Sequence, residues 1–262
     1  MWSSGFLVPH APILVPEVAV LSEASCKKTV SAFRSIGSSL TGKRPDYLLV
    51  LDPHARTGRS FTIIHAERFV GDLSEFGARK VSVAAAGAGE EGKDLALHLS
   101  SIFPVSEQRE ELFSLDYAAV VSLILLQLAL GCIPSMILAN PVTLSYKQAF
   151  DMGRHLRDFS SKSEWALLAS GDLSHCLKEG APGGYHPDAE ILDKKILESL
   201  EMSSPLPVFS LPPAVILNAG ECGLRSALCL IGLSGGSGIK LLSYEAPFGV
   251  GYATALWERG GP

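Results

Sequence analysis

Residues 46–55, "DYLLVLDPHA", join a strand-like apolar run to a proline and a histidine. Runs of this kind recur along the chain, and helical patterns lie between many of them. The strand-like runs cover 5–8, 46–52, 61–66, 79–85, 135–140, 165–172, 240–245 and 250–257. The helical patterns cover 21–40, 89–102, 117–130, 145–160, 187–201 and 220–232. This alternation predicts an α/β fold with a single domain over residues 1–262, in which helices flank both faces of a central mixed or largely parallel β-sheet.

Composition excludes some partners and suggests a compartment. The chain has 262 residues, of which 47% are hydrophobic, with 22 basic and 27 acidic residues and no basic block. This mild net charge of −5 offers no surface for tracking phosphates, so nucleic acid is not an expected partner. The five cysteines are an odd number and include no C-x-x-C pair, which is typical of reduced thiols. We therefore expect a cytoplasmic protein.

Two apolar stretches could be mistaken for membrane or export signals. The stretch from Tyr117 to Tyr146 carries no charge, but Gly131 and Pro134 divide it into a buried helix and a strand. The first 20 residues lack the basic leader of a signal peptide, and their prolines would break a helix. No membrane association is expected.

Three histidines follow predicted strands at the point where each strand ends. His10 follows the first strand, His54 follows the strand at 46–52, and His175 comes after "WALLASGD". One such histidine is usually a hydrogen-bonded structural residue, because a buried imidazole readily finds a backbone partner. Three of them suggest a site, since functional groups gather beyond the carboxyl ends of the strands in such sheets.

A carboxylate near two neutral imidazoles would complete a facial site for iron. Glu221 lies beside two glycines at the start of an apolar helix, in "LNAGECGL". An acid there also complements the helix dipole, but a buried acid needs a partner. Glu245 is a competing acid, and Asp52 and Asp172 could orient the neighbouring histidines.

The other histidines and two arginines give weaker signals. His65, His98 and His155 are interpreted as structural or solvent-facing. His186 lies in the loop "GGYHPDAE" and could face the site together with Tyr185, since functional side chains favour such loops. Arg56 or Arg59 could meet a carboxylate on a substrate, although loop arginines are usually just solvated.

Four motifs resemble a known family. They are "VPHAPIL" at 8–14, "LDPHA" at 51–55, "SGDLSH" at 170–175 and "AGECGLRSAL" at 219–228. Together and in this order they are similar to the class III (LigB-type) extradiol ring-cleaving dioxygenases, in their catalytic B-like subunit. The resemblance implies a LigB-like catalytic domain that cleaves a small catechol-like aromatic ring with O2.

The resemblance also implies a site. Its non-haem Fe(II) would be held by His10, His54 and Glu221, with His175 as the acid and base beside it. Zinc or manganese could replace iron in the isolated protein. Two histidines and one carboxylate leave three positions on an octahedral ion for both ring oxygens and O2. An imidazole near neutral pKa suits a two-way proton transfer.

One position departs from the family pattern. These dioxygenases commonly carry Asp-His-Gly before an apolar helix, where this chain has "LDYAAVVSL" with Tyr117 in place of the histidine. A phenol can donate a hydrogen bond to a substrate, but its pKa of about 10 makes it a poor proton shuttle at neutral pH. Tyr117 could equally be ordinary packing at a helix start.

Three functions therefore stay open at this point. The first is ring cleavage, the second is a metal-dependent hydrolase with the same ligands, and the third is a non-catalytic metal-binding or partner-binding protein. The mean hydropathy of +0.26 also suggests a homodimer or a small partner subunit, although a large, well-covered sheet explains the same figure.

Overall fold

A computed structural model describes residues 1–19, 26–39 and 44–260. The strands of this part of the chain are β1 (Trp2–Val8), β2 (Tyr47–Leu51), β3 (Phe61–Leu73), β4 (Ala78–Ala86), β5 (Val105–Ser114), β6 (Ser135–Asn140), β7 (Trp165–Ser170), β8 (Ile239–Glu245) and β9 (Tyr252–Glu258). Its α-helices are α1 (Pro16–Ala19), α2 (Lys27–Ser39), α3 (Gly89–Ser100), α4 (Tyr117–Leu130), α5 (Tyr146–Asp158), α6 (Asp188–Glu201), α7 (Leu206–Phe209), α8 (Pro213–Ala219) and α9 (Leu224–Ser234).

All of these strands belong to one sheet. Its order is β4-β3-β6-β2-β7-β1-β9-β8, with β5 on the free edge of β3. The four central strands β6, β2, β7 and β1 run parallel, whereas β3 and β9 run antiparallel to their central neighbours. The prediction of a mixed α/β sheet is confirmed, with as many antiparallel as parallel pairings among the described strands.

The sheet separates two apolar layers, as the prediction of helices on both faces requires. Successive residues of a strand point to opposite faces, so Leu48 and Val50 of β2 enter one layer and Leu49 and Leu51 the other. Helices α2 and α4 cover the first face, and α5 and α9 the second. Burying each such leucine contributes roughly 1.5–3 kcal/mol. The parallel strands are buried on both faces and are therefore rigid supports for the loops at their ends.

Helix α4 accounts for the uncharged stretch of sequence. It covers Tyr117–Leu130, and most of its residues are buried against the sheet. The carboxyl group of Asp116 accepts a hydrogen bond from the backbone N–H of Ala118 and caps the start of the helix. Within the described residues, no helix has the length and apolar character needed to cross a bilayer.

Some element boundaries differ from the sequence prediction. Strand β5 was missed, because its sequence "VSEQREELFS" is that of an exposed, charged edge strand without an apolar run. The helix predicted at 220–232 begins only at Leu224, as α9, so Glu221 and Cys222 lie in the turn before it. Of the predicted helix at 21–40, residues 27–39 form α2, and residues 20–25 and 40–43 lie outside the described part.

Candidate metal centre

Three of the parallel central strands bring the strand-end histidines to one edge of the sheet. His10 follows β1, His54 follows β2 and His175 follows β7. The ring centroids of His10 and His54 are 4.9 Å apart, and His175 lines the same cavity of about 480 Å³. The loops that carry the three histidines therefore line one cavity.

The third group beside the two histidines is a cysteine. One ligand atom from each of His10, His54 and Cys222 lies within 4.8 Å of the others, and the Sγ of Cys222 is 3.4 Å from Nε2 of His10. Metal–ligand bonds of about 2.0–2.3 Å place two ligands of one ion up to about 4.5 Å apart, so small side-chain shifts would close this cluster on an ion. No other comparable group of three occurs among the described residues.

His10 is held so that Nε2 faces the cluster. Its Nδ1 shares a 2.9 Å hydrogen bond with the hydroxyl of Ser170, which in turn is 2.8 Å from the hydroxyl of Ser122 on α4. Its backbone N–H donates to Oδ1 of Asp172 at 3.0 Å. Burial, followed by the nearby His54 and His175, lowers the pKa of His10 to about 3. The imidazole is therefore neutral at physiological pH, as a metal ligand must be.

Cys222 is held by a close approach of two backbone segments. The backbone N–H of Asp172 donates to Sγ of Cys222 at 3.3 Å, and the N–H of Gly223 donates to the carbonyl of Asp172 at 2.8 Å. A Cβ on Gly171 would lie 2.2 Å from the Cα of Gly223, so a side chain there would force the two segments apart. Burial raises the pKa of the Cys222 thiol well above its ordinary value, and the carboxylate of Asp172 adds to the shift.

Glu221 does not join this cluster, which corrects the ligand set expected from the sequence. Its carboxylate accepts hydrogen bonds from the backbone N–H of Leu224 at 2.6 Å and from the hydroxyl of Tyr146 at 3.2 Å. A guanidinium nitrogen of Arg225 lies 3.9 Å away. In the turn before α9, successive side chains point in different directions, so Cys222 faces the histidines and Glu221 faces α5. The acid is buried, as expected, but its partners are protein groups.

We expect Glu221→Ala to lower the free energy of unfolding by about 2–3 kcal/mol, because it leaves a buried N–H of Leu224 and the hydroxyl of Tyr146 without their acceptor. Urea denaturation of the metal-free protein measures this loss. Glu221→Gln keeps an oxygen acceptor and should lose less. Equal stability of Glu221→Ala and the parent protein would contradict this structural role.

Two further carboxylates lie beside the histidines. Oδ2 of Asp172 is 3.9 Å from Nε2 of His10, and burial raises the pKa of Asp172 to about 6. Oδ1 of Asp52 accepts the backbone N–H of His54 at 2.9 Å, and its Oδ2 is buried with no hydrogen-bond partner in the described part of the chain. Burial raises the pKa of Asp52 to about 7. Asp172 therefore lies next to a histidine ring, whereas Asp52 holds the backbone of its histidine.

Tyr117 lies against the histidines, as one reading of the sequence predicted. Its ring centroid is 5.6 Å from that of His54 and 6.3 Å from that of His10, and Phe76 packs on it at 5.2 Å. Burial, and then the surrounding acidic groups, raise the pKa of the phenol to about 12. The hydroxyl therefore stays protonated and can donate a hydrogen bond.

His175 is the remaining imidazole of the cavity. Its backbone N–H donates to the carbonyl of Ala219 at 2.9 Å, which joins the loop after β7 to the end of α8. Its Nδ1 is buried and has no hydrogen-bond partner among the described residues. The ring is thus placed by its backbone and retains a nitrogen with no partner.

Other residues considered from the sequence lie away from the cluster. Nδ1 of His186 accepts the backbone N–H of Asp188 at 3.2 Å, so this ring binds the first residue of α6, and it is not among the described residues of the cavity wall. Arg56 pairs with Glu110, and its guanidinium lies 5.1 Å above the ring of Phe113. Neither His186 nor Arg56 is among the described residues that line the cavity.

The rest of the cavity wall is mainly apolar and aromatic. The described residues that line it are His10, Ala11, Pro12, Ile13, His54, Tyr117, Asp172, His175, Pro182, Cys222, Phe248, Val250 and Tyr252. An apolar wall with a few converging polar groups is the usual form of a site for a small organic molecule.

Known proteins resemble the chain over nearly its full length. Protein CA_C1420 of Clostridium acetobutylicum is 30% identical over 282 residues, an alignment that covers 97% of this chain and 57% of that protein. The chain thus spans little more than half of this relative. An uncharacterized protein of Escherichia coli K12, JW3007, has a similar structure with a TM-score of 0.67 at 16% identity, covering 97% of this chain and 99% of that one.

A protein family matches residues 4–255 and is described as the catalytic LigB subunit of aromatic ring-opening dioxygenase. The match includes every residue of the candidate cluster, all of β2 and β7, and most of β1. This chain belongs to the LigB family.

Proposed function

We propose that the protein binds a divalent metal ion through His10, His54 and Cys222 and uses it to open a small aromatic ring with O2. The observation that carries the proposal is the convergence of three ligand atoms within 4.8 Å at the wall of a cavity of about 480 Å³. Membership of the LigB family supplies the class of reaction. Iron(II) is the metal we propose for ring opening, with cleavage next to two adjacent ring hydroxyls.

The donor set fits a bound metal ion. His10 is neutral, His54 is reachable from solvent, and Cys222 would supply one negative charge as a thiolate. Such an ion would act as a Lewis acid that holds the substrate oxygens and O2 together. Soft thiolate ligands also suit zinc and other transition metals, so Cys222 widens the choice beyond the iron of a two-histidine, one-carboxylate site.

The residues around the cluster have complementary roles. The imidazole of His175 would accept the proton of a ring hydroxyl, since an imidazole can take and return a proton near neutral pH. The hydroxyl of Tyr117, which stays protonated, would donate a hydrogen bond to a substrate oxygen. Ile13, Phe248 and Val250 would contact the ring and exclude water from it.

A second candidate is metal-dependent hydrolysis. Cys222 in place of a carboxylate is the observation that favours it, because cysteine and histidine ligands with an open position are typical of catalytic zinc. In that case His175 would take a proton from water in place of a ring hydroxyl.

One experiment separates these functions. The protein is reconstituted without oxygen with iron(II), manganese(II) or zinc(II), and a panel of catechols is added before air. Ring opening predicts oxygen uptake and a coloured ring-opened product with a redox-active metal. Turnover of ester or amide substrates with zinc in the absence of oxygen would select the hydrolase. Metal binding with neither reaction would leave a binding role.

We expect the metal affinity to rise about tenfold per pH unit between about pH 7 and pH 8.5, because one proton must leave for each ion bound. Burial raises the pKa of the Cys222 thiol well above its ordinary value, so this proton comes from the thiol. His10, with a pKa lowered to about 3, is already neutral and releases none. Titration with zinc against a competing chelator measures the slope, and a flat profile would contradict thiolate ligation.

A further inference from the structure

The described wall of the cavity beside the candidate metal cluster has an acidic side chain but no lysine or arginine. Asp172 lines the cavity, and the described residues of its wall include no lysine or arginine. Asp52 accepts the backbone N–H of His54, a residue of the wall, and Asp116 directly precedes Tyr117 in the chain. A substrate in this cavity therefore meets the carboxyl group of Asp172 and three imidazoles, but no lysine or arginine among the described residues of the wall.

We propose that the aromatic substrate carries no anionic substituent, and that the site takes a neutral or cationic ring. This inference rests on the proposed function, because it concerns the ring that the metal cluster would bind. A carboxylate on the ring would be removed from water without a partner and placed near Asp172, and both effects are unfavourable. An amine or a neutral group would meet neither penalty.

The basic side chains near the cavity have other partners. Arg56 pairs with Glu110, and Arg225 donates from Nε to the carbonyl of Leu144 at 2.6 Å. Lys178 is the cation to consider most closely, because its ammonium donates to the carbonyl of Pro247, next to a residue of the wall. None of the three lines the cavity.

The charge of the metal ion does not replace a missing arginine. A divalent ion would be partly neutralised by the thiolate of Cys222, by the nearby carboxylate of Asp172 and by the ring oxygens that it binds. The wall also contains apolar side chains such as Ile13, Phe248 and Val250. A substituent that extends from the ring would contact these groups, which cannot pair with an anion.

Two ring compounds of nearly equal shape test the charge directly. They are 3,4-dihydroxyphenylacetamide, which is neutral, and 3,4-dihydroxyphenylacetate, which is an anion. Calorimetric titration of each into the zinc-loaded protein measures binding without turnover of the ring. We expect the affinity for the amide to be at least about tenfold higher than the affinity for the acetate. The carboxylate of the acetate has no cationic partner in the cavity and lies near a second carboxylate, which is disfavoured.

A charge introduced at the wall provides the matched variant. Ile13→Lys places an ammonium at the cavity, and Ile13→Met is a neutral control of similar length. The lysine variant is expected to bind the acetate about tenfold more tightly than the methionine variant does, with a much smaller change for the amide.

The outcomes distinguish this inference from the function on which it rests. Equal or tighter binding of the acetate by the parent protein overturns the inference alone. If Lys178→Met then abolishes acetate binding, Lys178 is the cation that the inference denies. Failure of both rings to bind the zinc-loaded protein contradicts the proposed aromatic substrate, and the inference falls with it.

Discussion

Cys222→Ser is expected to weaken metal binding by about 100-fold or more. The substitution keeps the shape of the side chain but replaces a thiolate with a hydroxyl, which is a far poorer ligand at neutral pH. Removal of groups that merely orient a ligand already costs about 10–100-fold in affinity, and loss of a ligand should cost at least as much. Competition with a chromophoric chelator measures the change.

The neighbouring residue provides the control. Glu221→Gln alters the carboxylate that binds Leu224 and Tyr146, so it should leave metal affinity within a few-fold of the parent value. The two variants therefore test which of two adjacent side chains is the third ligand. A loss of affinity in Glu221→Gln together with normal binding in Cys222→Ser would restore the carboxylate ligand and contradict the geometry described above.

His175→Gln is expected to reduce turnover by about 10²–10⁴-fold, which is the usual contribution of a positioned acid or base. Glutamine is polar and of similar size, but it cannot exchange a proton near neutral pH. His175 lines the cavity but is not one of the three residues of the metal cluster. The variant should therefore keep a metal affinity close to that of the parent protein. Oxygen uptake with a catechol, measured beside metal affinity, separates the two effects.

His186 is the matched control for this experiment. It follows His175 in the same connection between β7 and α6, but its ring accepts the backbone N–H of Asp188 and does not line the cavity. His186→Gln should therefore retain most of the turnover. Similar losses in both variants would indicate a structural effect on the loop, and loss of metal binding in His175→Gln would make His175 a ligand.

The sequence predicted well those features that follow from the direction of the strands. Parallel strands end at the same edge of a sheet, so residues after β1, β2 and β7 had to meet there. This rule placed His10, His54 and the loop of His175 together without any knowledge of their contacts. The alternation of strand and helix patterns predicted separately that helices would cover both faces.

The third ligand could not be predicted by the same rule. Glu221 and Cys222 are adjacent in a turn, where no periodicity indicates which side chain faces inward. A carboxylate matched the family expectation, whereas the cysteines were interpreted only by their number and spacing. The contacts of Glu221 with Leu224 and Tyr146 depend on where α5 packs against α9. The direction of a side chain in such a turn is therefore a result of tertiary packing.

Edge position explains the missed strand β5. Its partner β3 supplies the hydrogen bonds on one side only, and most of its side chains are exposed or half-buried. Charged residues such as Glu107 and Arg109 protect an edge from pairing with another sheet, but they also remove the apolar pattern by which a strand is identified.

The central claim is that His10, His54 and Cys222 bind one metal ion. A crystal structure of the zinc-loaded protein, with anomalous scattering measured on both sides of the zinc absorption edge, tests this most directly. We expect one strong anomalous peak, which marks a zinc ion bonded to a nitrogen of each histidine and to Sγ of Cys222. A peak bonded to the carboxylate of Glu221, or no zinc beside His10 at full loading, would contradict the claim.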